Sequence, residues 1–591
     1  MAAGTQAPPS PPPPASTPMP RVRRRRRFGS RTVIGGLAIL AVIYLVAGPL
    51  LMLVLTSFQD TSLGLVIRPP FPWSLQNYVD VFGDSGTYSA ILSTLIFSAG
   101  SLLVAFAVSI TCAWLVERTD LPARNAVFVL LVAPSGIPAL ILAISWSLLL
   151  NPNNGLINTL LRLPFGAEGP GPLDVYSLPW MILVQGMSLV PMTFLLITAS
   201  LRGVNASLEE AARASGSGFS TIVRRITLPL LRPALIGALI YQFVTVVTAL
   251  DVPLVLGLSG GVSVLSTEIY VASNPVGGLP NYGVSGTYGM FLLAVSLIPL
   301  LFYNRIIGRS QDYATITGKT FRPKTIALKR WKIPAVLFCW GYIALSFVLP
   351  MLVLLWASFQ PYLGVWGLDA LDRLTTAGYG EALGGAQFLD ALRNTFVLGV
   401  AAALGGMVLA MALSWVIVRS RSRYRALVDI LAFVPHALPG VVIGLSTLVL
   451  YLILPIPIYG TIWIIVVAMA TQYISLGTRL TTAGIAQIQV GLEEAAETSG
   501  AGGRQIWQRV LGPLLRPVFL NGFLMIFLAS IQNLTLPLML GSNDNVVLST
   551  LIWRRWDYGD VTGAAVLSVT MATITVIAAT LLRRTTGTRG L

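Results

Sequence analysis

The feature that most constrains this chain is a series of long apolar runs, each long enough to cross a lipid bilayer as a helix. A helix needs roughly 20 apolar residues to span the hydrocarbon layer, and such runs recur here between short polar or Gly- and Pro-rich loops. Of the 591 residues, 55% are hydrophobic and only 10% are charged, which is too little charge to cover a water-soluble fold. The pattern predicts an all-α membrane protein with about twelve transmembrane helices. The predicted spans are 33–56, 88–117, 125–150, 178–200, 232–256, 286–307, 333–357, 392–418, 426–454, 459–480, 515–540 and 560–582.

The basic residues cluster in alternate loops. A net charge of +16 would on its own also suit a nucleic-acid-binding protein. Lys and Arg accumulate in the cytoplasmic loops of membrane proteins, so the alternation predicts a multi-pass protein with both termini in the cytoplasm. Arg554 and Arg555 are an exception, because they fall in a predicted outer loop. The clusters are Arg21–Arg27, Arg118 and Arg124, Arg213 with Arg224, Arg225 and Arg232, Arg305–Lys332, Arg419–Arg425, Arg504 with Arg509 and Arg516, and Arg583 with Arg584.

Residues 1–30 differ in composition from the rest of the chain. The stretch "APPSPPPPASTPMP" cannot bury a core and predicts a disordered cytoplasmic tail. The following "RVRRRRRF" adjoins an apolar run that is too long for a signal peptide and has no clear cleavage site, so we interpret the run as a retained helix. The basic patch is expected to contact membrane lipid headgroups, and nucleic-acid binding is the less favoured alternative.

The chain contains an internal repeat. "SFQD" at 57–60 matches "SFQP" at 358–361 with a displacement of 301, and "PLLRP" at 229–233 recurs at 513–517 with a displacement of 284. The first copy therefore has extra residues between its third and fourth helices. Each copy holds six predicted helices, an even number, so the copies are expected to be parallel repeats about an axis along the membrane normal. The predicted halves are 31–308 and 333–585, joined by a cytoplasmic linker at 309–332.

Each half carries the same polar loop, which we call an elbow: the first elbow (209–233) and the second elbow (493–517). Just before the first elbow, Ser207 can cap a helix with Glu210 at its third position, and Gly216 can end that helix in the left-handed conformation. Gly491 replaces the Ser cap in the second copy. The pattern predicts a short helix, a Gly bend and a second amphipathic helix. Its small, low-profile surface suits docking to a soluble protein, although a single copy could be an ordinary solvated loop.

These elbows resemble the signature loop of permease subunits of binding-protein-dependent ABC importers. That signature is Glu-Ala-Ala, three residues, Gly, nine residues and Ile-x-Leu-Pro. The first elbow matches it at Glu210, Ala211, Ala212, Gly216, Ile226, Leu228 and Pro229. The second matches at Glu494, Ala495, Ala496, Gly500 and Pro513. It departs at Val510 and Gly512, which could loosen its packing.

The resemblance implies a fold, partners and a mechanism. The fold would be that of a type I ABC importer permease, in a bacterial cytoplasmic membrane. Each elbow would be a coupling helix in the cleft of one of two cytoplasmic ATP-binding subunits, and an external solute-binding protein would deliver the cargo. The coupling residues would be Glu209, Glu210, Ala211, Ala212 and Gly216, with Glu493, Glu494, Ala495, Ala496 and Gly500. The fused architecture looks most like iron(III) permeases, with thiamine, polyamine and phosphonate permeases as alternatives.

The chain itself offers no site for chemistry. "GRSQDYATITGKT" ends like a Walker motif, but Tyr313 stands where the phosphate loop needs its first Gly. Cys112 and Cys339 have no metal-ligand spacing and are interpreted as small core residues. We therefore expect a transport subunit that is not an enzyme, with no metal and no cofactor of its own, ATP being bound by the partner.

Polar residues near the outer end of the fifth helices are candidates for the pathway. Asp251 is costly inside a membrane, and its repeat partner is Thr535. If the two fifth helices face each other, they would line a pathway that favours a cationic or polar solute. The alternative is that Asp251 is hydrated or capping at the interface. The full set of candidates is Asp251, Pro253, Gln532, Asn533, Thr535 and Pro537, with the prolines expected to bend the helices.

Two other classes of membrane protein remain as alternatives. An ion-coupled secondary transporter also uses repeats, but it has no need for paired cytoplasmic docking loops. A non-transport scaffold would have no obvious use for the internal proline kinks. Binding of an ATPase at the elbows separates the importer from both.

Overall fold

A computed structural model describes residues 30–60, 72–162, 164, 169–204, 206–307, 325–364, 369–420 and 425–585. The predicted tail up to residue 29 and linker residues 309–324, with the Walker-like segment, lie outside these residues. Within the described ranges all regular structure is helical, apart from two isolated bridges, Gln59 with Trp73 and Thr119 with Ile326. This confirms the predicted all-α class.

The helices follow in the same order in both halves. Those of the first half are α1 (Ser30–Ser57), α2 (Gln76–Gly83), α3 (Ser85–Arg118), α4 (Arg124–Val132), α5 (Ala139–Leu150), α6 (Leu156–Arg162), α7 (Leu178–Gly203), α8 (Ala206–Ala214), α9 (Phe219–Ile222), α10 (Leu228–Val247), α11 (Leu265–Ser273) and α12 (Tyr282–Ile307). Those that follow are α13 (Lys332–Ile343), α14 (Leu349–Ser358), α15 (Asp369–Asp372), α16 (Ala377–Gly384), α17 (Ala386–Arg419), α18 (Arg425–Ala437), α19 (Gly440–Ile453), α20 (Ile462–Gln487), α21 (Val490–Thr498), α22 (Gly503–Ile506), α23 (Gly512–Gln532), α24 (Thr535–Leu540), α25 (Leu548–Asp557) and α26 (Val561–Thr585).

The helix boundaries reproduce the repeat seen in the sequence. The helices α3 and α17 each have 34 residues, and both of their ends are displaced by 301. The helices α7 and α20 each have 26 residues, and both of their ends are displaced by 284. The extra residues of the first half therefore lie between these two pairs, where α6 is inserted.

The described residues contain 10 helices long and apolar enough to cross a membrane, and up to 13 spans if each of three bent helix pairs counts as one. The predicted spans 125–150 and 426–454 are not straight helices. They are pairs bent by 97° and 105°, and the second helix of each pair begins directly after Pro138 or Pro439. Proline lacks the N–H that would continue the helix and crowds the preceding turn, so the chain turns at these positions.

The predicted fifth spans, 232–256 and 515–540, also end too late. The helices stop at Val247 and Gln532, before the prolines at 253 and 537. Each proline removes the donor for the carbonyl four residues earlier, and a serine hydroxyl replaces it. Ser266 Oγ donates to Ala249 O at 2.6 Å, and Ser549 Oγ donates to Asn533 O at 2.9 Å. A carbonyl freed by proline inside a membrane protein must find such a donor. The third bent pair, turning by 84°, follows in the first half at Pro253–Gly260 and Leu265–Ser273.

The first helix of each half packs on the other half. The helix α1 lies against α17, α18 and α19, while α13 and α14 lie against α4 and α5. Tyr44 on α1 donates its hydroxyl to Tyr451 on α19 at 3.1 Å. In return, Tyr342 on α13 donates to the carbonyl of Met187 on α7 at 3.1 Å. We call this arrangement the helix exchange, and it joins the halves into one body.

The two cysteines lie within this exchange. Cys112 on α3 and Cys339 on α13 are both buried, as the sequence analysis predicts for core residues. Their sulfur atoms are 4.0 Å apart, although 227 residues separate them in the chain. Sequence spacing gave no reason to expect this contact.

Both elbows lie on the same side of the membrane-spanning region. Ile326 pairs with Arg118 and Asp120 through backbone hydrogen bonds of 2.9 and 3.1 Å, so the end of the linker lies beside the end of α3. The span Lys329–Ser358 then crosses away from that side, and Ala386–Arg419 crosses back. Arg118 and Arg419 therefore end their helices on one side, and each elbow follows from there.

Candidate functional site

The elbows share one backbone geometry. In the first, Gly216 has φ +81°, and in the second, Gly500 has φ +85°. The residue after each glycine closes the helix end with a backbone hydrogen bond: Ser217 N donates to Ala212 O at 2.9 Å, and Ala501 N donates to Ala496 O at 3.0 Å. This is the Schellman arrangement, which requires a left-handed residue and favours glycine. The Gly bend inferred from the sequence is therefore present in both halves.

The predicted helix caps are wrong. The helix α8 begins at Ala206, which leaves Ser207 inside its first turn. The helix α21 begins at Val490 after Gln489, so Gly491 also lies inside the helix. In each case only two residues separate the elbow helix from the long helix before it. Because the chain must reverse within these two residues, the position of the turn sets where each elbow helix starts, and the preference for a Ser or Gly cap does not.

A buried arginine holds the base of each elbow. Arg118 Nη2 donates to the carbonyls of Leu201 and Val204 at 3.1 and 3.4 Å, and lies 3.7 Å from Glu209 Oε1. These carbonyls are at the end of α7, and Glu209 is in the first turn of α8. Thr227 donates its hydroxyl to the same Glu209 oxygen at 2.9 Å. The arginine thus joins three helices, α3, α7 and α8.

The second half repeats this arrangement. Arg419 Nε donates to Glu493 Oε1 at 2.7 Å, and Nη2 donates to the carbonyls of Ile485 and Ile488 at 3.3 and 2.6 Å. A cation at a helix C-terminus and a carboxylate in the first turn of the next helix both suit the helix dipoles. We call these two sets the arginine clamps: Arg118 with Glu209, and Arg419 with Glu493.

Sequence reasoning treated the clamp arginines only as parts of basic loops. The signal that could have found them is their displacement of 301, which places both at the last residue of a 34-residue helix. It also treated Glu209 and Glu493 as coupling residues. The structure places both carboxylates in the buried base of the elbow, where they contact the protein itself.

The outward face of each elbow helix consists of the other coupling residues. Ala211, Glu494 and Ala495 are exposed, and Glu210, Ala212 and Ala496 are half-buried. Two alanine side chains directly after an acidic residue give each elbow helix a low surface on a clamped base. This surface can fit closely into a groove of a partner.

The second segment of each elbow is not a separate helix. Residues 220–247 and 503–532 are continuous helical spans that run from the elbow into the membrane region. A π-helical turn occupies the same place in both, Val223–Thr227 and Trp507–Leu511. A wider turn lets the amphipathic segment pass into the apolar helix without a break, so each elbow is continuous with α10 or α23.

A cavity of about 360 Å³ lies between the halves. The first half contributes Gln185, Ser188, Thr245, Thr248 and Asp251, and the second contributes Ser346, Gly440, Gln472 and Thr535, with apolar residues between them. Asp251 Oδ1 and Gln185 Oε1 have no hydrogen-bond partner among the described residues. The cavity can therefore offer free oxygen acceptors to a solute. Across the described ranges, no group of three His, Cys, Asp or Glu side chains could hold a metal ion.

The structure brings some of the predicted pathway residues together. Asp251 and Thr535 line the same cavity, while Gln532, Asn533, Pro253 and Pro537 are not among the residues that line it. Asn533 accepts the N–H of Leu536 at 3.0 Å and so fixes the start of α24. The amides of the cavity come from α7 and α20 instead. Ser188 and Gln472 are repeat partners, displaced by 284, and this match of polar residues inside apolar helices is the signal that was missed.

Comparison with known proteins gives a consistent family match. The family described as "Binding-protein-dependent transport system inner membrane component" matches residues 105–312 and 402–585, one segment in each half. Over 542 residues the chain is 24% identical to the ferric transport system permease protein FbpB of Actinobacillus pleuropneumoniae. The aligned region covers 90% of this chain and 75% of that protein. Over 419 residues it is 24% identical to the putative ferric transport system permease protein FbpB 1 of Haemophilus influenzae, covering 70% and 64%.

Sugar permeases also occur among the relatives. The sulfoquinovosyl glycerol transport system permease protein SmoG of Agrobacterium fabrum is 29% identical over 274 residues, covering 45% of this chain and 85% of that protein. Among solved structures, the match to a bacterial ABC transporter involved in the import of alginate covers 46% of this chain and 92% of that chain. The identity is 22% and the TM-score is 0.39. That score is too low to support a conclusion.

Proposed function

Because the chain belongs to the family of binding-protein-dependent transport system inner membrane components, we propose that it forms the whole membrane pathway of an ATP-driven importer for iron(III). The protein is a multi-pass permease of an ABC importer. In the proposal, each elbow docks on one of two cytoplasmic ATP-binding subunits, and an external solute-binding protein delivers the cargo. Both termini lie in the cytoplasm, and the chain itself binds no ATP.

The proposal that ATP-binding subunits dock on this protein is supported by the two matched elbows on one side of the molecule. Both have the same Gly bend, the same arginine clamp and the same outward face of small residues. Two surfaces of one shape suit two copies of one partner. Because each elbow continues into a membrane helix, closure of the ATPases can change the packing around the cavity between the halves.

Reversal of charge on the elbow faces tests the docking. In the variant E210R/E494R both outward acidic positions become basic, and we expect the ATP-binding subunits to be lost on purification. The control E381R makes the same change at an exposed position on α16, beyond the far end of α14, where no ATPase can reach. Full binding and cargo-stimulated ATP hydrolysis by E210R/E494R would refute the docking proposal.

The cargo part is supported by two observations of different kinds. Relatives over most of the chain are ferric permeases by name. The cavity also carries one carboxylate, Asp251, with an unpaired oxygen, which favours a cation over a neutral sugar. Thiamine, polyamines and phosphonate remain alternative cargoes, and so does a sugar.

Uptake into proteoliposomes that hold the complete transporter decides between them. We expect radioactive iron to accumulate with ATP inside and binding protein outside, and D251N to reduce the rate while the ATPase still binds. Uptake of a sugar or thiamine without uptake of iron would overturn the cargo and leave the importer mechanism intact.

A further inference from the structure

A long apolar groove lies beside the second elbow and shares no residue with the central cavity. Its volume is about 730 Å³, and it lies between the start of α1, the end of α17 and the turn that joins the elbow to α23. Aromatic and aliphatic side chains form most of its walls. The residues that decide its chemistry are Gly35, Trp415, Arg504, Trp507, Gly512 and Arg516.

The groove lies at the boundary of the membrane-spanning region on the elbow side. Trp415 is one helical turn before Arg419, the last residue of α17. Arg504 follows the bend of the second elbow at Gly500 by only four residues. Tryptophan is enriched where the lipid headgroups meet the hydrocarbon, and Trp507 provides a second indole at this level. The groove is therefore within reach of the lipids of that leaflet.

Two arginines give the groove its charge. Arg504 and Arg516 are both exposed. In the part of the chain that the structure describes, neither side chain forms a hydrogen bond or an ion pair, in contrast to Arg419, which is held by Glu493. Guanidinium groups bind phosphate oxygens through paired N–H donors. Such a group at the side of an apolar groove complements a phosphate that carries acyl chains.

The first half lacks the features that make this groove. It has Ser220, Val223 and Leu228 where the second half has Arg504, Trp507 and Gly512. Gly512 is also one of the two departures from the family signature, and it lines the groove directly. Leu228 follows the same π-helical turn in the first half. At Gly512 a Cβ would lie 2.7 Å from the carbonyl oxygen of Trp507, so a side chain here requires a shift of that carbonyl. The groove is a property of one copy, and the other copy provides an internal control.

We infer that this groove binds an anionic phospholipid, with its phosphate at Arg516 and its acyl chains against the apolar wall. Arg504 lies about 18 Å away along the same continuous helix and adds positive charge to the groove without sharing that phosphate. The basic cluster at 21–27 is the other segment near α1, but its charge has the same sign as that of the groove. The inference does not depend on the transported cargo. A lipid bound here contacts both the elbow turn and α1, and so links the coupling surface to the helix exchange.

Native mass spectrometry of the full chain tests the site, with phosphatidylglycerol and phosphatidylcholine supplied in equal amounts. We expect tightly bound phosphatidylglycerol on the wild type. R516Q should lower the preference for phosphatidylglycerol roughly tenfold, the effect of losing one charge-assisted hydrogen bond. G512L should reduce retention of either lipid because it fills the groove. R232Q removes the equivalent exposed arginine of the first half. It should leave both the preference for phosphatidylglycerol and the retention of lipid unchanged.

Three results would overturn the inference. The first is equal lipid binding by R516Q and R232Q, and the second is full retention of phosphatidylglycerol by G512L. The third concerns the tail. If Gln in place of the arginines at 21–27 increases phosphatidylglycerol binding, and G512L abolishes the increase, the tail and not a lipid is the normal occupant of the groove. Unchanged circular dichroism of each variant shows that the fold is retained.

Discussion

Removal of Arg419 should loosen the second elbow from the helices that support it. Its guanidinium group donates to one carboxylate and two carbonyls, and the side chains of Arg419 and Glu493 are only 11% and 10% exposed. Breaking a buried ion pair by removing one partner costs about 3–5 kcal/mol. We expect R419A to fall in this range. In E493Q the amide oxygen still accepts a hydrogen bond, and Arg419 still donates to its two carbonyls. This variant should therefore lower the free energy of unfolding by only about 1 kcal/mol.

A double-mutant cycle measures the pair itself. The variants R419A, E493A and R419A/E493A are unfolded by denaturant in detergent micelles, and the coupling free energy is the departure from additivity. We expect about 2–3 kcal/mol for this buried, hydrogen-bonded pair. The pair Arg479 and Asp429 is the control, because it has a distance of 3.1 Å but side chains that are 51% and 38% exposed. Its coupling should be about 0–1 kcal/mol.

Cargo-stimulated ATP hydrolysis then connects the clamp to function. If the clamp carries force from the elbow to α17 and α20, R419A should lower stimulation while the ATPase remains bound. The reasoning fails if the two alanine changes are additive, or if their coupling does not exceed that of Arg479 and Asp429.

Three further predictions address other parts of the fold. G216A and G500A should each cost about 1–2 kcal/mol in thermal unfolding, because φ is positive there, whereas G218A in open space should not; equal effects would refute a strained bend. S266A and S549A should each cost about 1–3 kcal/mol, since a carbonyl freed by proline loses its donor; wild-type stability of both alanine variants would show that water replaces the hydroxyl. Mild oxidation should link Cys112 to Cys339 and speed migration on a non-reducing gel, a change that C339S abolishes; failure of the wild type to cross-link would contradict the contact of α3 with α13.

The sequence was sufficient for the parts of the fold that repeat. Matching displacements of 301 and 284 predicted two equivalent halves, because residues that fix turns and loops must stand at the same places in both copies. The Gly bends followed from the same match, since a left-handed helix end favours glycine. The predicted domain boundaries and the roles of the coupling residues stay predictions.

The sequence was insufficient where the outcome depends on contacts between distant segments. The clamp arginines bind carbonyls and carboxylates that lie 66 to 91 positions further along the chain, and the periodicity of the sequence does not indicate such pairs. The bent pairs at Pro138 and Pro439 were predicted only as single spans, because apolar length alone does not show whether a helix turns within the membrane. Gln472 was missed because it lies within a span that the sequence marks only as apolar, and only the fold places it in the same cavity as Asp251.

The helix exchange has a consequence for how the protein is made. The helix α1 leaves the ribosome long before its partners α17 to α19, the last of which ends at Ile453, about 400 residues later. At about 5–20 residues per second, synthesis of that stretch takes roughly 20–80 s. During this interval α1 is in the bilayer before the helices of the second half on which it packs have been made. Its future contact surface must therefore be covered by an insertase or by the surrounding lipid. Assembly of the N-terminal portion is therefore complete only after the C-terminal portion has been inserted.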